Sequence, residues 1–123
     1  MTKGKFLKGK VALVTGGTRG IGKATALALG EVGASVAISY LKSRNSANDA
    51  VREISSSGIR VKAFRGNIGN TDHVNKLVAS VMEEFGKIDI FISNAASGPI
   101  RKTIGMDIKK WEDAIHINAM SFF

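Results

Sequence analysis

Short apolar runs alternate with helical repeats along the chain, and this order predicts strands and helices in turn. The run Val11–Thr15 is followed by Gly16 and Gly17, as in a buried parallel strand that leads into a turn. Beyond the turn, apolar residues recur at helical spacing as far as Gly33, where a glycine stop is expected. The residues of this repeat are Ile21, Ala24, Ala28 and Val32.

The same alternation continues through the middle of the chain. Further strands are predicted over residues 34–40, 59–65 and 88–92. One helix between them ends near Gly58, and the next is capped by Asn70 or Thr71 and ends at Gly86. Their apolar faces are Ala47, Ala50, Val51 and Ile54 in the first, and Val74, Leu77, Val78, Val81, Met82 and Phe85 in the second.

The last part of the chain contains a loop and a fourth helix. Gly98 and Pro99 mark the loop, and the helix is predicted to begin near Asp107 and to be still running at Phe123. Strands that alternate with helices imply right-handed crossovers and a parallel sheet covered on both faces. We therefore predict an α/β fold with a doubly wound parallel sheet of the Rossmann type. Residues 1–123 are expected to form one dinucleotide-binding domain, with four strands and incomplete at its C-terminal end.

The composition narrows the class of protein. A formal charge of +8 favours an anionic partner, which would be nucleic acid, a phosphorylated cofactor or an acidic carrier protein. The basic residues are scattered and aromatic residues are few, so nucleic acid is the weaker interpretation. The absence of cysteine excludes disulfides and thiolate metal sites. No apolar run approaches the ~20 residues of a membrane span, so we expect a cytoplasmic protein with no membrane partner.

The turn after the first strand is rich in glycine and opens the first helix. Backbone N–H groups in such a turn approach a pyrophosphate closely, and the helix N-terminus adds its positive end. Three spaced glycines alone are weak evidence, but here the strand precedes them and the helix follows. We therefore predict a phosphate-binding turn. Its residues are Thr15, Gly16, Gly17, Thr18, Arg19, Gly20, Ile21 and Gly22.

The spacing T-G-x-x-x-G-x-G of this turn resembles the fingerprint of the short-chain dehydrogenases/reductases. Further matches follow in the family's order along essentially the whole chain: Asn67 and Ile68, then Asn94, Ala95 and Ala96, then Asn118. The resemblance implies that the first two groups line a dinucleotide site. At position 67 the family usually has an acid for the adenine amino group, and the Asn67 carbonyl would replace it. Where the family usually has Asn-Asn-Ala-Gly, this chain has Ser93-Asn94-Ala95-Ala96, and the last residue adds a methyl group near the cofactor.

Charges near the second strand favour NADPH over NADH as the cofactor. NAD-binding folds usually have an acid at the end of this strand for the ribose 2′-hydroxyl, and none follows Tyr40 here. Arg19 and Lys42 are instead available to pair with a 2′-phosphate, with Arg44 a weaker third. In the family that the chain resembles, basic residues at the positions of Arg19 and Lys42 accompany NADP. The alternative is that they are ordinary solvated surface charges.

Asn118 is the candidate catalytic residue. Its spacing from Trp111 and Ile115 places it on the apolar face of the fourth helix, where a buried amide needs partners. The resemblance implies the asparagine of an Asn-Ser-Tyr-Lys tetrad, which supports a water-mediated proton relay. The alternative is a structural asparagine that ties the helix to neighbouring backbone. The tetrad's serine, tyrosine and lysine have no counterpart here, since Tyr40 belongs to the adenosine side, so the chain alone is expected to be inactive.

The segment from Asn94 to Gly98, together with Trp111 and Asn118, resembles one subgroup of the family, the short-chain type of enoyl-acyl carrier protein reductase. This implies reduction of an enoyl thioester in fatty acid synthesis, with an acyl carrier protein that would suit the positive charge. The alternatives are a 3-oxoacyl-acyl carrier protein reductase and a sugar or polyol dehydrogenase. A non-catalytic nucleotide-binding fragment or partner subunit is the alternative from another class.

The remaining polar and aromatic candidates are interpreted as structural. His73 lies in the first turn of the third helix at a plain polar position, and His116 has no second ligand at metal spacing. Trp111 is interpreted as a core or interface residue. The fourth strand should lie beside the first, which leaves an apolar sheet edge for pairing with another chain. We therefore expect a homo-oligomer.

Overall fold

The computed structural model describes residues 4–98 and 100–123, so Pro99 of the predicted loop lies outside the described part. Strands and helices alternate from Val11 onward, as the sequence predicts. The strands are β1 Val11–Thr15, β2 Ser35–Tyr40, β3 Val61–Arg65 and β4 Ile90–Ile92. The helices are α1 Gly20–Glu31, α2 Arg44–Ser55, α3 Thr71–Phe85 and α4 Ile108–Ile115, and a π-helical turn His116–Met120 follows α4.

The four strands form one parallel sheet in the order β3-β2-β1-β4. Alternate residues of the central strands face opposite sides, and each side has its own core. Val14, Val36 and Ile38 pack with α1 and α2 on one side. Leu13 and Ala37 pack with Leu77 and Val81 of α3 on the other. The predicted doubly wound sheet is therefore confirmed, including β4 beside β1.

The buried side of α1 differs from the apolar repeat that predicts the helix. The residues that face the sheet are Gly22, Ala26 and Gly30, whereas Ile21 is 79% exposed. The reason is close packing on the buried side of the helix, against Ile59 at Gly30 and against Gly16 at Gly22. A Cβ at Gly30 would lie 2.5 Å from a side-chain atom of Ile59, so only small residues fit on this side. The repeat therefore identifies the helix but not the side that it buries.

The fourth helix is shorter than predicted. The α-helical part begins after the cap Asp107, as expected, but it ends at Ile115 and continues as the π-helical turn only to Met120. Its apolar residues are largely exposed in the described chain, including Trp111 at 56%. The wider π turn also changes the directions of the side chains after His116, so a constant helical period does not place them correctly. None of the described helices has the length and apolar character that crossing a bilayer requires.

Asp89 joins the start of β4 to the start of β1. Its carboxylate accepts a hydrogen bond from the backbone N–H of Val11 at 2.8 Å and pairs with Lys87 at 3.1 Å. The Val11 N–H first, and then Lys87, hold the pKa of Asp89 below its ordinary value of 3.8. The carboxylate is therefore ionised at neutral pH, and the contact stabilises the pairing of β4 at that pH.

Candidate functional site

A cleft of about 450 Å³ opens at the carboxyl ends of the strands. It lies where loops from β1, β2, β3 and β4 meet. The order of strands reverses between β1 and β4, because β2 and β3 lie on one side of β1 and β4 lies on the other. Parallel α/β sheets bind ligands at this kind of switch point. The lining residues are Gly16, Thr18, Arg19, Ser39, Tyr40, Leu41, Lys42, Ser43, Ser46, Gly66, Asn67, Ile68, Ala95, Ala96, Ser97 and Ile117.

Thr15 and Asn94 join the loops that follow β1 and β4. The buried Thr15 hydroxyl accepts hydrogen bonds from the backbone N–H groups of Asn94 and Ala95, at 3.1 and 3.2 Å. In return, the Asn94 amide donates from Nδ2 to the carbonyl oxygens of Thr15 and Gly16, at 3.1 and 3.2 Å. These four bonds hold the two loops in one fixed arrangement. Thr15 and Asn94 therefore hold the loops that form the cleft and do not line it themselves.

The glycine turn meets two different steric demands. Gly20 has a φ of +57°, a left-handed conformation that other residues adopt at a cost, and a Cβ there would contact nothing within 4 Å. At Gly22 a Cβ would lie 2.1 Å from the carbonyl oxygen of Gly16. The turn therefore has free space beside Gly20 and is tightly packed at Gly22. Arg19 at the N-cap of α1 makes no side-chain cap bond with the described residues, so the N-terminal N–H groups are available to an anion.

We expect Gly22→Ala to lower the free energy of unfolding by about 2 kcal/mol, because overpacking against backbone exceeds the roughly 1 kcal/mol that alanine gains in a helix. Urea denaturation measures the change. Gly4→Ala is the control, because a Cβ at Gly4 meets nothing within 4 Å. Equal stability of Gly22→Ala and the parent would show that the turn is looser than described.

The charges that line the cleft are positive. Arg19 and Lys42 both border it, as predicted, and no acidic residue is among the described residues that line it. Arg44, the weaker third cation of the sequence analysis, begins α2 and is not part of the lining. Ser43 caps α2 by accepting a hydrogen bond from the backbone N–H of Ser46 at 3.1 Å. The β2 side of the cleft therefore combines one cation, Lys42, with hydroxyl groups.

The loop between β3 and α3 contributes Gly66, Asn67 and Ile68 to the cleft. The side-chain oxygen of Asn67 accepts a hydrogen bond from the backbone N–H of Gly69 at 2.9 Å. A carbonyl oxygen has two lone pairs, so one is left for a ligand. The backbone N–H of Asn67 donates to Nδ1 of His73 at 3.2 Å. His73 is thus more than the plain polar residue that its sequence position indicates.

Asn118 lies in the π-helical turn and is exposed, which corrects its predicted place on a buried apolar face. The physical reason is that the face itself is exposed among the described residues, since Trp111 and Ile115, which define it, are 56% and 39% exposed. Both polar atoms of its side chain are nevertheless hydrogen-bonded to Ser97. Oδ1 accepts from the Ser97 N–H at 2.8 Å, and Nδ2 donates to the Ser97 carbonyl at 2.7 Å. Asn118 therefore ties the helix to the loop after β4, the structural alternative considered from the sequence.

The predicted site residues fall into two groups. Those that line the cleft are Gly16, Thr18, Arg19, Lys42, Asn67, Ile68, Ala95 and Ala96. Those outside its lining are Thr15, Gly20, Ile21, Gly22, Asn94 and Asn118. Sequence reasoning missed further lining residues, among them Ser39, Ser43, Ser46, Ser97 and Ile117. The available signal for Ser39, Ser43 and Ser46 was their position at the end of β2 and the start of α2, whereas Ser97 and Ile117 had no such signal.

A parallel sheet whose first strand leads through a glycine turn into a helix N-terminus, with a cleft at the switch point, defines a dinucleotide-binding domain. The chain belongs to the short chain dehydrogenase family, whose model matches residues 10–123. The predicted family is thereby confirmed. Membership of the family does not by itself define a substrate, because one fold hosts many activities.

The relatives share the chain's fold along nearly all of its length. The chain is 37% identical over 117 residues to the 3-oxoacyl-[acyl-carrier-protein] reductase of Synechocystis sp., covering 95% of the chain and 47% of the relative. A short chain dehydrogenase of Burkholderia cenocepacia J2315, solved in complex with NADP, is 36% identical with a TM-score of 0.88, covering 94% and 47%. L-sorbose reductase of Gluconobacter frateurii, solved with NADPH and L-sorbose, is 28% identical with a TM-score of 0.88, covering 99% and 46%.

These comparisons also bear on the predicted activity. The chain spans about half the length of the relatives it matches. The resemblance in the sequence favours enoyl reduction, with 3-oxoacyl reduction as an alternative. The name of the Synechocystis relative matches the 3-oxoacyl alternative. The two solved structures contain NADP or NADPH, the cofactor that the sequence predicts.

Proposed function

We propose that the protein is an NADPH-dependent oxidoreductase that reduces the 3-oxo group of an acyl thioester. The observation that carries the proposal is the cleft itself, a rigid glycine turn at an uncapped helix N-terminus, with Arg19 and Lys42 and no acid among the described lining residues. The name of the Synechocystis relative supports the substrate class. The chain covers 47% of that relative's length.

The residues present fit a phosphorylated dinucleotide. The open front of Gly20 leaves room for a pyrophosphate against the turn, and the first N–H groups of α1 can donate to it. Arg19 and Lys42 would hold the 2′-phosphate, and Asn67 with Ile68 would hold the adenine. Ala95 and Ala96 would lie along the remaining side. Once bound, the nicotinamide cofactor supplies the hydride.

The chain's own residues would orient the reacting groups. Asn118 is proposed as a positioning residue, because its amide holds the backbone of Ser97 at the cleft. A proton must also reach the substrate oxygen, and a neutral amide has no proton of suitable acidity to give. The proton donor is therefore proposed to come from residues outside this chain, as the family resemblance implies.

An acidic carrier protein is the proposed partner that delivers the acyl thioester. The formal charge of +8 favours such a partner and would accelerate the encounter. The homo-oligomer expected from the sequence stays a prediction.

Enoyl reduction is the second candidate activity. Ala96 lines the cleft at the position where the family resemblance implies glycine, and this departure favours a subgroup other than the usual 3-oxoacyl reductases. Sugar reduction is the third candidate activity, because the chain is similar to L-sorbose reductase. The three activities differ in the group reduced, so turnover of matched substrates separates them.

The test measures NADPH oxidation by the full-length protein with acetoacetyl, crotonyl and sugar substrates. We expect kcat/KM for the acetoacetyl thioester to exceed that for the crotonyl thioester by at least roughly tenfold, a factor that corresponds to about 1.4 kcal/mol of transition-state binding. A preference for crotonyl thioester would establish the second candidate, and a preference for sugars the third. NADPH binding without any turnover would indicate a nucleotide-binding module.

A further inference from the structure

The loop between β3 and α3 is closed by hydrogen bonds around the first turn of α3. The backbone N–H of Asn70 donates to the carbonyl of Asn67 at 3.0 Å, and Asn67 Oδ1 accepts from the N–H of Gly69. Asn70 then caps the helix by accepting from the backbone N–H of His73 at 3.1 Å. The side chain of His73 returns to the start of the loop, where Nδ1 accepts from the N–H of Asn67 at 3.2 Å.

This last bond defines the state of the histidine ring. A ring nitrogen that accepts a hydrogen bond carries no proton, so the ring is neutral and its proton is on Nε2. The ring therefore satisfies the backbone N–H of Asn67, at the point where the loop enters the cleft. Leucine at position 73 would leave that N–H to solvent, so that only the bonds between Asn67 and residues 69 and 70 would hold the loop at the start of α3.

The bond acts on the wall of the cleft. Gly66, Asn67 and Ile68 line it, although His73 itself does not. The same loop packs against the π-helical turn, because a Cβ at Gly69 would lie 2.9 Å from Cγ1 of Ile117, another lining residue. A shift of the loop would therefore move two walls of the cleft together.

We propose that His73 is a positioning residue for cofactor binding, whose neutral ring fixes the backbone at Asn67 and thereby the part of the cleft that receives the adenosine half. This inference rests on the proposed function. It goes beyond that function by assigning a role to a residue that does not contact the ligand. The ring acts before binding, so that the ligand does not have to order the loop at a cost in affinity.

The test compares three variants of the full-length protein, with adenosine 2′,5′-bisphosphate and reduced nicotinamide mononucleotide as separate probes. His73→Leu removes the acceptor. His73→Asn restores one, because Oδ1 is the same number of bonds from the backbone as Nδ1. His116→Leu is the matched control, since the ring of His116 contacts its own helix, with Nδ1 at 2.9 Å from the Glu112 carbonyl, and lies outside the cleft lining.

We expect His73→Leu to weaken binding of the bisphosphate by roughly threefold to tenfold, the effect of one hydrogen bond. His73→Asn should remain within about twofold of the parent, His116→Leu should match it, and the mononucleotide should bind all variants equally. In the parent, a long-range ¹H–¹⁵N spectrum should show the His73 ring with its proton on Nε2. This spectrum needs no variant to fold.

Three results would overturn the inference. The first is a His73 proton on Nδ1. The second is parent-like bisphosphate affinity in His73→Leu, even if its melting temperature falls, because a purely structural role predicts that pattern. The third is failure of the parent itself to bind the bisphosphate, which would remove the proposed function and this inference with it. Binding by the parent with no effect of His73→Leu would overturn this inference alone.

Discussion

Replacing Arg19 and Lys42 together by alanine will abolish most of the protein's preference for NADPH over NADH. Both residues border the cleft, and no acid among the described lining residues opposes a 2′-phosphate. Charge-assisted hydrogen bonds contribute about 1.5–3 kcal/mol each, so losing two should lower the ratio of affinities by roughly a hundredfold or more. Titration of both cofactors against parent and variant at one ionic strength measures this ratio.

The control for this experiment must remove the same charge elsewhere. Arg52→Ala with Lys109→Ala does so, because these cations pair with Asp49 and Asp113 on exposed helix surfaces. We expect this control to retain the parental preference, since long-range attraction is screened beyond about 10 Å at 0.1 M salt. If the Arg19 and Lys42 variant discriminates as the parent does, these residues are ordinary surface charges.

A polypeptide of these 123 residues alone is expected to bind NADPH weakly and to reduce no 3-oxoacyl or enoyl thioester. Its single tyrosine, Tyr40, lines the cleft beside Lys42 and Ser43, on the side proposed for the adenosine half. General acid catalysis contributes about 10²–10⁴-fold, and positioning of the substrate adds to this, so the loss should exceed that of one catalytic substitution. NADPH oxidation with acetoacetyl thioester measures it.

Adding a segment that contains a serine and a Tyr-x-x-x-Lys sequence should restore turnover, in one chain or as a separate partner. A version of the restored protein with phenylalanine in place of that tyrosine is the matched control, because it keeps the fold and removes only the acid. Rapid NADPH oxidation by the 123-residue chain alone would falsify the view that its site lacks a proton donor.

The order of elements and the cofactor turn could be predicted from the sequence because both depend on local chemistry. A buried parallel strand needs a continuous apolar run such as Val11–Thr15, and the left-handed backbone at Gly20 favours glycine whatever surrounds it. Helix caps are equally local, and both Asn70 and Gly86 occupy their predicted positions. The boundaries of β3 and β4 depend on strand pairing, which is not local. Each strand begins two residues later than predicted, at the residue where its pairing starts.

Only the tertiary structure decided which groups meet across long separations in sequence. Thr15 and Asn94 exchange hydrogen bonds because β1 and β4 are neighbours, a contact that no periodicity records. Likewise, close packing around α1 selects Gly22 and not Ile21 for burial. The exposure of Trp111 and Ile115 leaves the face that was predicted to bury Asn118 at the surface. Burial and hydrogen-bond partners depend on how elements pack, and packing distances are set by the whole fold. The sequence thus determined the class of site, and the fold determined the role of each residue within it.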